Sequence, residues 1–168
     1  MNEQAILIGL GHLGIVFAGL ISVFMIFAAR DGGFRPAERQ HIRGLILTSF
    51  PVVVGSLLPL VFDLYGASKE MTWQGSSIIA FIFGIAMSIE NLVHYLKLPR
   101  NEKKENGYVH AGIAFGLNGV AGVMLGFASF GVAAKANYIV FLMVLLLIGV
   151  SSFVTFAAHR FLKNEQEP

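Results

Sequence analysis

The chain alternates between long apolar segments and short polar connections. A membrane-spanning helix needs about 20 mostly apolar residues, whereas a transmembrane strand shows about 10 residues of alternating polarity. Five segments here are too long for such strands and are apolar on every face. The pattern therefore predicts an all-α membrane protein, a bundle of five transmembrane helices at about 5–29, 36–65, 75–97, 111–133 and 138–162.

Composition agrees with this prediction. Hydrophobic residues make up 55% of the chain and charged residues 13%, whereas soluble domains carry roughly 25% charged residues. The polar connections are too short for a second domain, so residues 1–168 are predicted to form a single integral membrane domain. The net charge of +2 is too small to indicate nucleic-acid binding, and without cysteine there is no disulfide or thiolate chemistry.

Lysine and arginine are distributed unequally among the connections. The first connection holds Arg30, Arg35, Arg39 and Arg43, and the third holds Lys97, Arg100, Lys103 and Lys104. The second and fourth hold one basic residue each, Lys69 and Lys135. Because cytoplasmic loops retain positive charge, we expect the N-terminus outside and the C-terminus in the cytoplasm. The first segment lacks a basic n-region, so we expect a retained span and not a cleaved signal peptide.

A polar stripe lies near the cytoplasmic end of the third predicted helix. Glu90 and His94 are spaced i, i+4, and Lys97 continues the same face toward the basic connection. Glu90 lies about 10 Å inside the end of the helix at 1.5 Å per residue. The stripe is either a structural seam that bonds a neighbouring helix or a proton pathway, since intramembrane ionisable residues often carry function.

Metal or haem binding is a further hypothesis for the same level of the membrane. Glu90, His94 and His110 are candidate metal ligands by residue type, and His94 with His159 could in principle hold a haem. Each histidine comes from a different segment, and no HExxH spacing occurs. The sequence therefore indicates no catalytic residue and no definite cofactor.

The fourth predicted helix carries a ridge of small residues. Its glycines fall within about a third of the helix circumference, with Asn118 beside them: Gly112, Gly116, Gly119, Gly122 and Gly126. Small residues let helix backbones approach closely in lipid, and an asparagine can hydrogen-bond across helices. The ridge predicts helix packing, either within this chain or between copies. In the second predicted helix, Pro51 and Pro59 each remove a backbone donor and predict kinks.

The segments "GLGHLGIVFAGLISVF", "RPAERQHIRGLILTSFPVVVGSLLPLVF" and "TWQGSSIIAF" cover roughly the first half of the chain. In these the chain resembles small multi-pass proteins of bacteria to which no activity is assigned. The resemblance implies a bacterial inner membrane and carries over no functional residue.

These observations favour a non-enzymatic membrane subunit or assembly protein. Its partners would be the lipid bilayer and either a second copy or a larger membrane complex. A small proton- or ion-coupled transport component using Glu90 and His94 is the alternative. A membrane-embedded metal or haem redox protein is the second alternative. No phosphate loop, nucleophile elbow or kinase signature points to an enzyme.

Overall fold

The computed structural model describes residues 3–30, 34, 36–105 and 108–164, and the side chains of residues 3–27, 34, 36, 38–104 and 111–158. Over these residues the chain is all-helical and contains no strand. The described helices are α1 (Glu3–Arg30), α2 (Pro36–Leu64), α3 (Lys69–Lys97), α4 (Arg100–Glu105), α5 (Tyr108–Ser129) and α6 (Ala134–Asn164). All except the short α4 are long and apolar enough to cross a membrane.

Several helix ends differ from the sequence prediction by three to six residues, including the start of α6 at Ala134 and not near residue 138, and local backbone chemistry explains two of them. The third helix begins at Lys69 and not near residue 75. Ser68 is its N-cap, and the Ser68 side chain accepts a hydrogen bond from the Met71 backbone N–H at 3.2 Å. The fourth long helix, α5, ends at Ser129 and not near residue 133. Gly131 and Ala133 take φ angles of 84° and 44°, left-handed values that no helix continues through.

Helix α6 lies at the centre of the bundle and packs against α1, α2, α3 and α5. The main core contains Tyr138, Leu142 and Leu145 of α6, with Val52 of α2 and Leu125 of α5 among their partners. A second cluster of α1, α2 and α6 residues lies nearer the other end of α6: Phe17, Ile21, Ile42, Leu45 and Phe156. Helices α1, α2 and α6 supply buried side chains to both clusters, and α6 also packs against all four of the other membrane-length helices.

Glycines allow close approach where α1 and α6 meet their neighbours. A Cβ on Gly14 would lie 2.9 Å from the Val53 side chain of α2. A Cβ on Gly149 would lie 2.9 Å from both the Phe17 ring and the Thr48 hydroxyl oxygen. Real Cβ atoms do not tolerate such distances without a shift, so these two positions require glycine for the packing observed.

Helix α2 continues through both of its prolines, and the second proline creates a bond between helices. Pro59 has no backbone N–H, so the Gly55 carbonyl one turn earlier loses its normal helical donor. The Tyr138 hydroxyl of α6 donates to this Gly55 carbonyl oxygen at 2.7 Å. Tyr138 is fully buried, and its ring packs edge-on against Trp73 with centroids 6.0 Å apart. The backbone acceptor that Pro59 leaves unpaired in α2 is thus used in a hydrogen bond to α6.

Large apolar side chains cover the outside of the bundle. Leu13 of α1, Phe50 of α2 and Phe83 of α3 are each more than half exposed, and many others are similar. Soluble monomers rarely expose contiguous apolar surface on this scale. An outer surface of this kind is suited to lipid.

Candidate functional site: the polar seam between α2 and α3

Two side-chain contacts join α2 to α3 near the N-terminal end of α2. Arg43 forms an ion pair with Glu90, with the guanidinium Nη2 donating to the carboxylate Oε1. Gln40 donates from Nε2 to the Asn91 Oδ1 atom at 2.8 Å. Gln40 and Arg43 are spaced i, i+3 on α2, and their partners follow each other on α3, so both contacts lie at the same level between the two helices. We call Gln40, Arg43, Glu90 and Asn91 the polar seam.

The ion pair compensates the Glu90 charge without burying it. The Glu90 side chain is 55% exposed and that of Arg43 is 29% exposed. Partly exposed ion pairs contribute up to about 1 kcal/mol in water. Within a bilayer, such a pair would keep an ionised carboxylate from facing lipid alone, which is unfavourable. The Arg43 Nε atom is buried with no hydrogen-bond acceptor among the described residues.

The predicted stripe of Glu90, His94 and Lys97 lies on an exposed face of α3. His94 donates from Nδ1 to the Glu90 backbone carbonyl oxygen at 2.9 Å, and the Glu90 carboxylate instead pairs with Arg43. The two side chains therefore do not form the i, i+4 pair that their spacing suggested. A functional role for the stripe stays a prediction.

A small, partly open cavity lies beside the polar seam. It has a volume of about 60 Å³, and residues of α2, α3, α5 and α6 surround it. Its polar lining consists of neutral amides, hydroxyls and an imidazole: Gln40, His41, Asn91, Tyr95, Asn118 and Ser152. At roughly 15 Å³ per water, it has room for about four water molecules. Pockets for ordinary small-molecule ligands are about 300 Å³ or larger, so this cavity suits water and not a substrate.

The polar lining does not continue along the bundle as a row of cross-helix contacts. Beyond the cavity, buried hydroxyls donate to carbonyls of their own helices: Thr48, Ser49, Ser56 and Ser77. Ala121, Leu125 and Leu145 fill the neighbouring core. The hydroxyls of Tyr138 and Thr72 instead donate across to α2, and the Ser76 hydroxyl is buried without a partner among the described residues. Most of the buried hydroxyls beyond the cavity therefore bond to their own helices and do not extend its polar lining.

The described residues show no arrangement of side chains that supports the metal hypothesis. No group of three His, Asp or Glu residues with suitable placement occurs among them. The His94 Nδ1 atom is engaged with its own helix backbone. The side chains of His110 and His159 lie outside the described residues, so the metal set with His110 and the haem pair with His159 stay predictions.

The glycine ridge of α5 faces away from the bundle. A Cβ on Gly112, Gly116, Gly119 or Gly122 would meet no atom within 4 Å, whereas one on Gly126 would lie 3.7 Å from the Phe81 ring. The buried side of α5 carries other residues: Ala121, Leu125 and Ala128. Asn118 donates from Nδ2 to the Ala114 carbonyl of its own helix at 2.9 Å, and lines the cavity. Packing within the chain therefore does not explain why four of these five positions are glycine.

Sequence reasoning missed the partners of the seam. Arg43 appeared as part of a basic connection, and the Gln40–Asn91 contact was not foreseen. A signal for Arg43 did exist, because a carboxylate inside a span calls for a cation at equal depth. The packing of Trp73, which is 9% exposed, against Tyr138 was not foreseen either.

The fold indicates the class of protein. Five described helices long and apolar enough to span a bilayer indicate a multi-pass membrane protein. No family model matches the chain, and no curated protein or solved structure is significantly similar to it.

Proposed function

We propose that this chain is a non-enzymatic membrane subunit that assembles, through the outward face of α5, with a second copy of itself or with a larger membrane partner. The observation that carries the proposal is the open space at Gly112, Gly116, Gly119 and Gly122. Glycine in a helix is about 1 kcal/mol less favourable than alanine. Four such positions bring no packing benefit inside this chain. Another helix seated on this face would use them.

The physical argument depends on lipid as the solvent. Lipid tails are as apolar as leucine, so helices gain little by hiding ordinary apolar side chains from them. Association instead follows from close backbone approach, which a row of small residues permits. Gly112 and Gly116 have the GxxxG spacing at which two helices can cross closely. The outward face of α5 meets this requirement.

The proposed orientation has the N-terminus outside and the C-terminus in the cytoplasm of a bacterial inner membrane. Its support is charge: the end of the bundle that holds the polar seam carries six described basic side chains and the opposite end two. The chain has no cysteine. A single Asn101→Cys or Ala136→Cys substitution therefore gives a unique label, and both residues are exposed at opposite ends. An impermeant maleimide applied to intact cells is expected to label the Ala136→Cys protein alone.

Assembly is tested by the mass of the protein purified in mild detergent. We expect a complex heavier than the 18.2 kDa chain, and Gly116→Leu should reduce that mass because a leucine blocks close approach. The matched control is Gly19→Leu on α1, which is also exposed with no atom within 4 Å of its Cβ position. A strictly monomeric wild-type protein that retains no partner would reject the proposal. Equal effects of the two variants would reject the α5 face.

The proton- or ion-coupled transport alternative has weaker support. It requires Glu90 to exchange protons or ions, yet Arg43 pairs with its carboxylate. It also requires a polar route across the bundle, and most buried hydroxyls of the described residues beyond the cavity bond to their own helices. Unchanged ion or proton flux in liposomes containing Glu90→Gln would remove this alternative. A colourless preparation without stoichiometric metal would remove the redox alternative.

A further inference from the structure

The charged side chains of the bundle are concentrated at the end that contains the polar seam. Among the described side chains this end carries six basic residues, Arg39, Arg43, Lys97, Arg100, Lys103 and Lys104, and three acidic ones, Glu38, Glu90 and Glu102. The opposite end carries two basic residues, Lys69 and Lys135, and three acidic ones, Glu3, Asp63 and Glu70. The two ends therefore differ in the sign of their charge.

Helix α4 places some of these basic residues beside the ends of α2 and α3. The Lys103 ammonium donates to the Leu96 carbonyl at 2.8 Å and lies 5.8 Å from the centre of the Tyr95 ring, which folds α4 back on the last turn of α3. Helix α4 also packs beside α2. Arg100 and Lys104 are spaced i, i+4 and so share one face of α4, where both are exposed.

With Lys97 at the end of α3 and Arg39 on α2, these residues form four exposed cations. We call Arg39, Lys97, Arg100 and Lys104 the basic surface. It draws on three helices from two distant parts of the chain.

The basic surface begins where the apolar exterior ends. Leu92, Val93 and Leu96 of α3 are all exposed, and Lys97 follows immediately. Long basic side chains at this level can keep their stems in the apolar region and place their charges among headgroups. The nearest anions of a surrounding bilayer are phosphodiesters, which guanidinium and ammonium groups bind by charge-assisted hydrogen bonds.

From this placement we infer that the basic surface binds the headgroups of anionic phospholipids in the adjoining leaflet. The inference concerns lipid selection and is independent of the proposed assembly through α5. Charge complementarity and continuity with the apolar exterior favour a lipid over a soluble acidic partner. Attraction of this kind amounts to about a fivefold preference per basic residue near the surface. It is screened by salt.

The test measures lipid preference with the full chain in phosphatidylcholine bilayers. Trace spin-labelled phosphatidylglycerol or phosphatidylcholine reports, by electron paramagnetic resonance, the share of each lipid held at the protein surface. Wild-type protein is expected to prefer phosphatidylglycerol, and high salt to reduce the preference. Lys104→Gln and Lys97→Gln should each lower it by up to about fivefold.

Lys69→Gln is the matched control, because it removes one exposed lysine from the opposite end. It should leave the preference unchanged. Equal retention of both lipids by the wild-type protein would overturn the inference. So would an equal loss in Lys69→Gln and Lys104→Gln, since overall charge and not this surface would then be responsible. Capture of a soluble acidic protein without any lipid preference would assign the basic surface to that partner instead.

Discussion

Removing the Tyr138 hydroxyl should destabilise the bundle, and the loss should depend on Pro59. The hydroxyl donates to the Gly55 carbonyl oxygen at 2.7 Å, in a fully buried environment. Tyr138→Phe keeps the ring that packs on Trp73 and removes the donor alone. An unsatisfied buried acceptor costs about 1–3 kcal/mol, and interhelical hydrogen bonds in membranes contribute about 0.6 kcal/mol on average, up to about 1.7. We expect the free energy of unfolding to fall by about 1–2 kcal/mol.

A double-mutant cycle separates this explanation from a general packing effect. Pro59→Ala restores a backbone N–H at the position from which a helix normally satisfies the Gly55 carbonyl. In that background Tyr138→Phe should lose about 1 kcal/mol less than in the native background. Pro59 is itself buried, and the cycle cancels the packing that its replacement changes.

Unfolding can be followed by circular dichroism in detergent titrated with a denaturing surfactant. The fluorescence of Trp73, the single tryptophan of the chain, gives a second signal. Tyr65→Phe is the control, because Tyr65 is 88% exposed and its change should stay within about 0.5 kcal/mol. An equal loss from Tyr138→Phe with proline or alanine at position 59 would refute the reasoning.

Two further predictions concern packing and the polar seam. Gly149→Ala should lower the free energy of unfolding by about 1–3 kcal/mol, because its Cβ would lie 2.9 Å from the Phe17 ring. Gly19→Ala, at an open position, should instead stabilise the helix by up to about 1 kcal/mol in the same titration. In the seam, Glu90→Gln should destabilise by up to about 1 kcal/mol in the native protein and by less in an Arg43→Gln background. A loss of equal size in both backgrounds would show that the ion pair is not its cause.

The helical class of the fold follows from apolar segment length alone, because a bilayer admits few backbone solutions. Helix ends were less predictable. Lys69 and Glu70 look like loop residues by polarity, yet the Ser68 cap makes them the first turn of α3. Hydropathy reflects the polarity of the side chains and not the hydrogen bonding of the backbone. A polar helical turn outside the apolar region is therefore predicted as a connection.

The candidate site was predictable on one helix and not across two. The stretch around Glu90 drew attention because a carboxylate is rare in such a segment. Its partner Arg43 lies on α2, and pairing between helices depends on rotation and depth that no spacing along one helix reports. The Tyr138 bond shows the same limit. Pro59 reveals that the Gly55 carbonyl needs a donor, whereas the sequence does not say which helix supplies it.

The central position of α6 has a consequence for synthesis. Helices are made in chain order, and α6 follows the four long helices against which it packs. Until α6 inserts, the Gly55 carbonyl lacks the Tyr138 donor, and Glu3 of α1 lacks its Lys135 partner. Before α6 is inserted, the surfaces of α1, α2, α3 and α5 that contact α6 in the complete fold are therefore not covered by it. A chain arrested before α6 would therefore lack the α6 side chains of both core clusters.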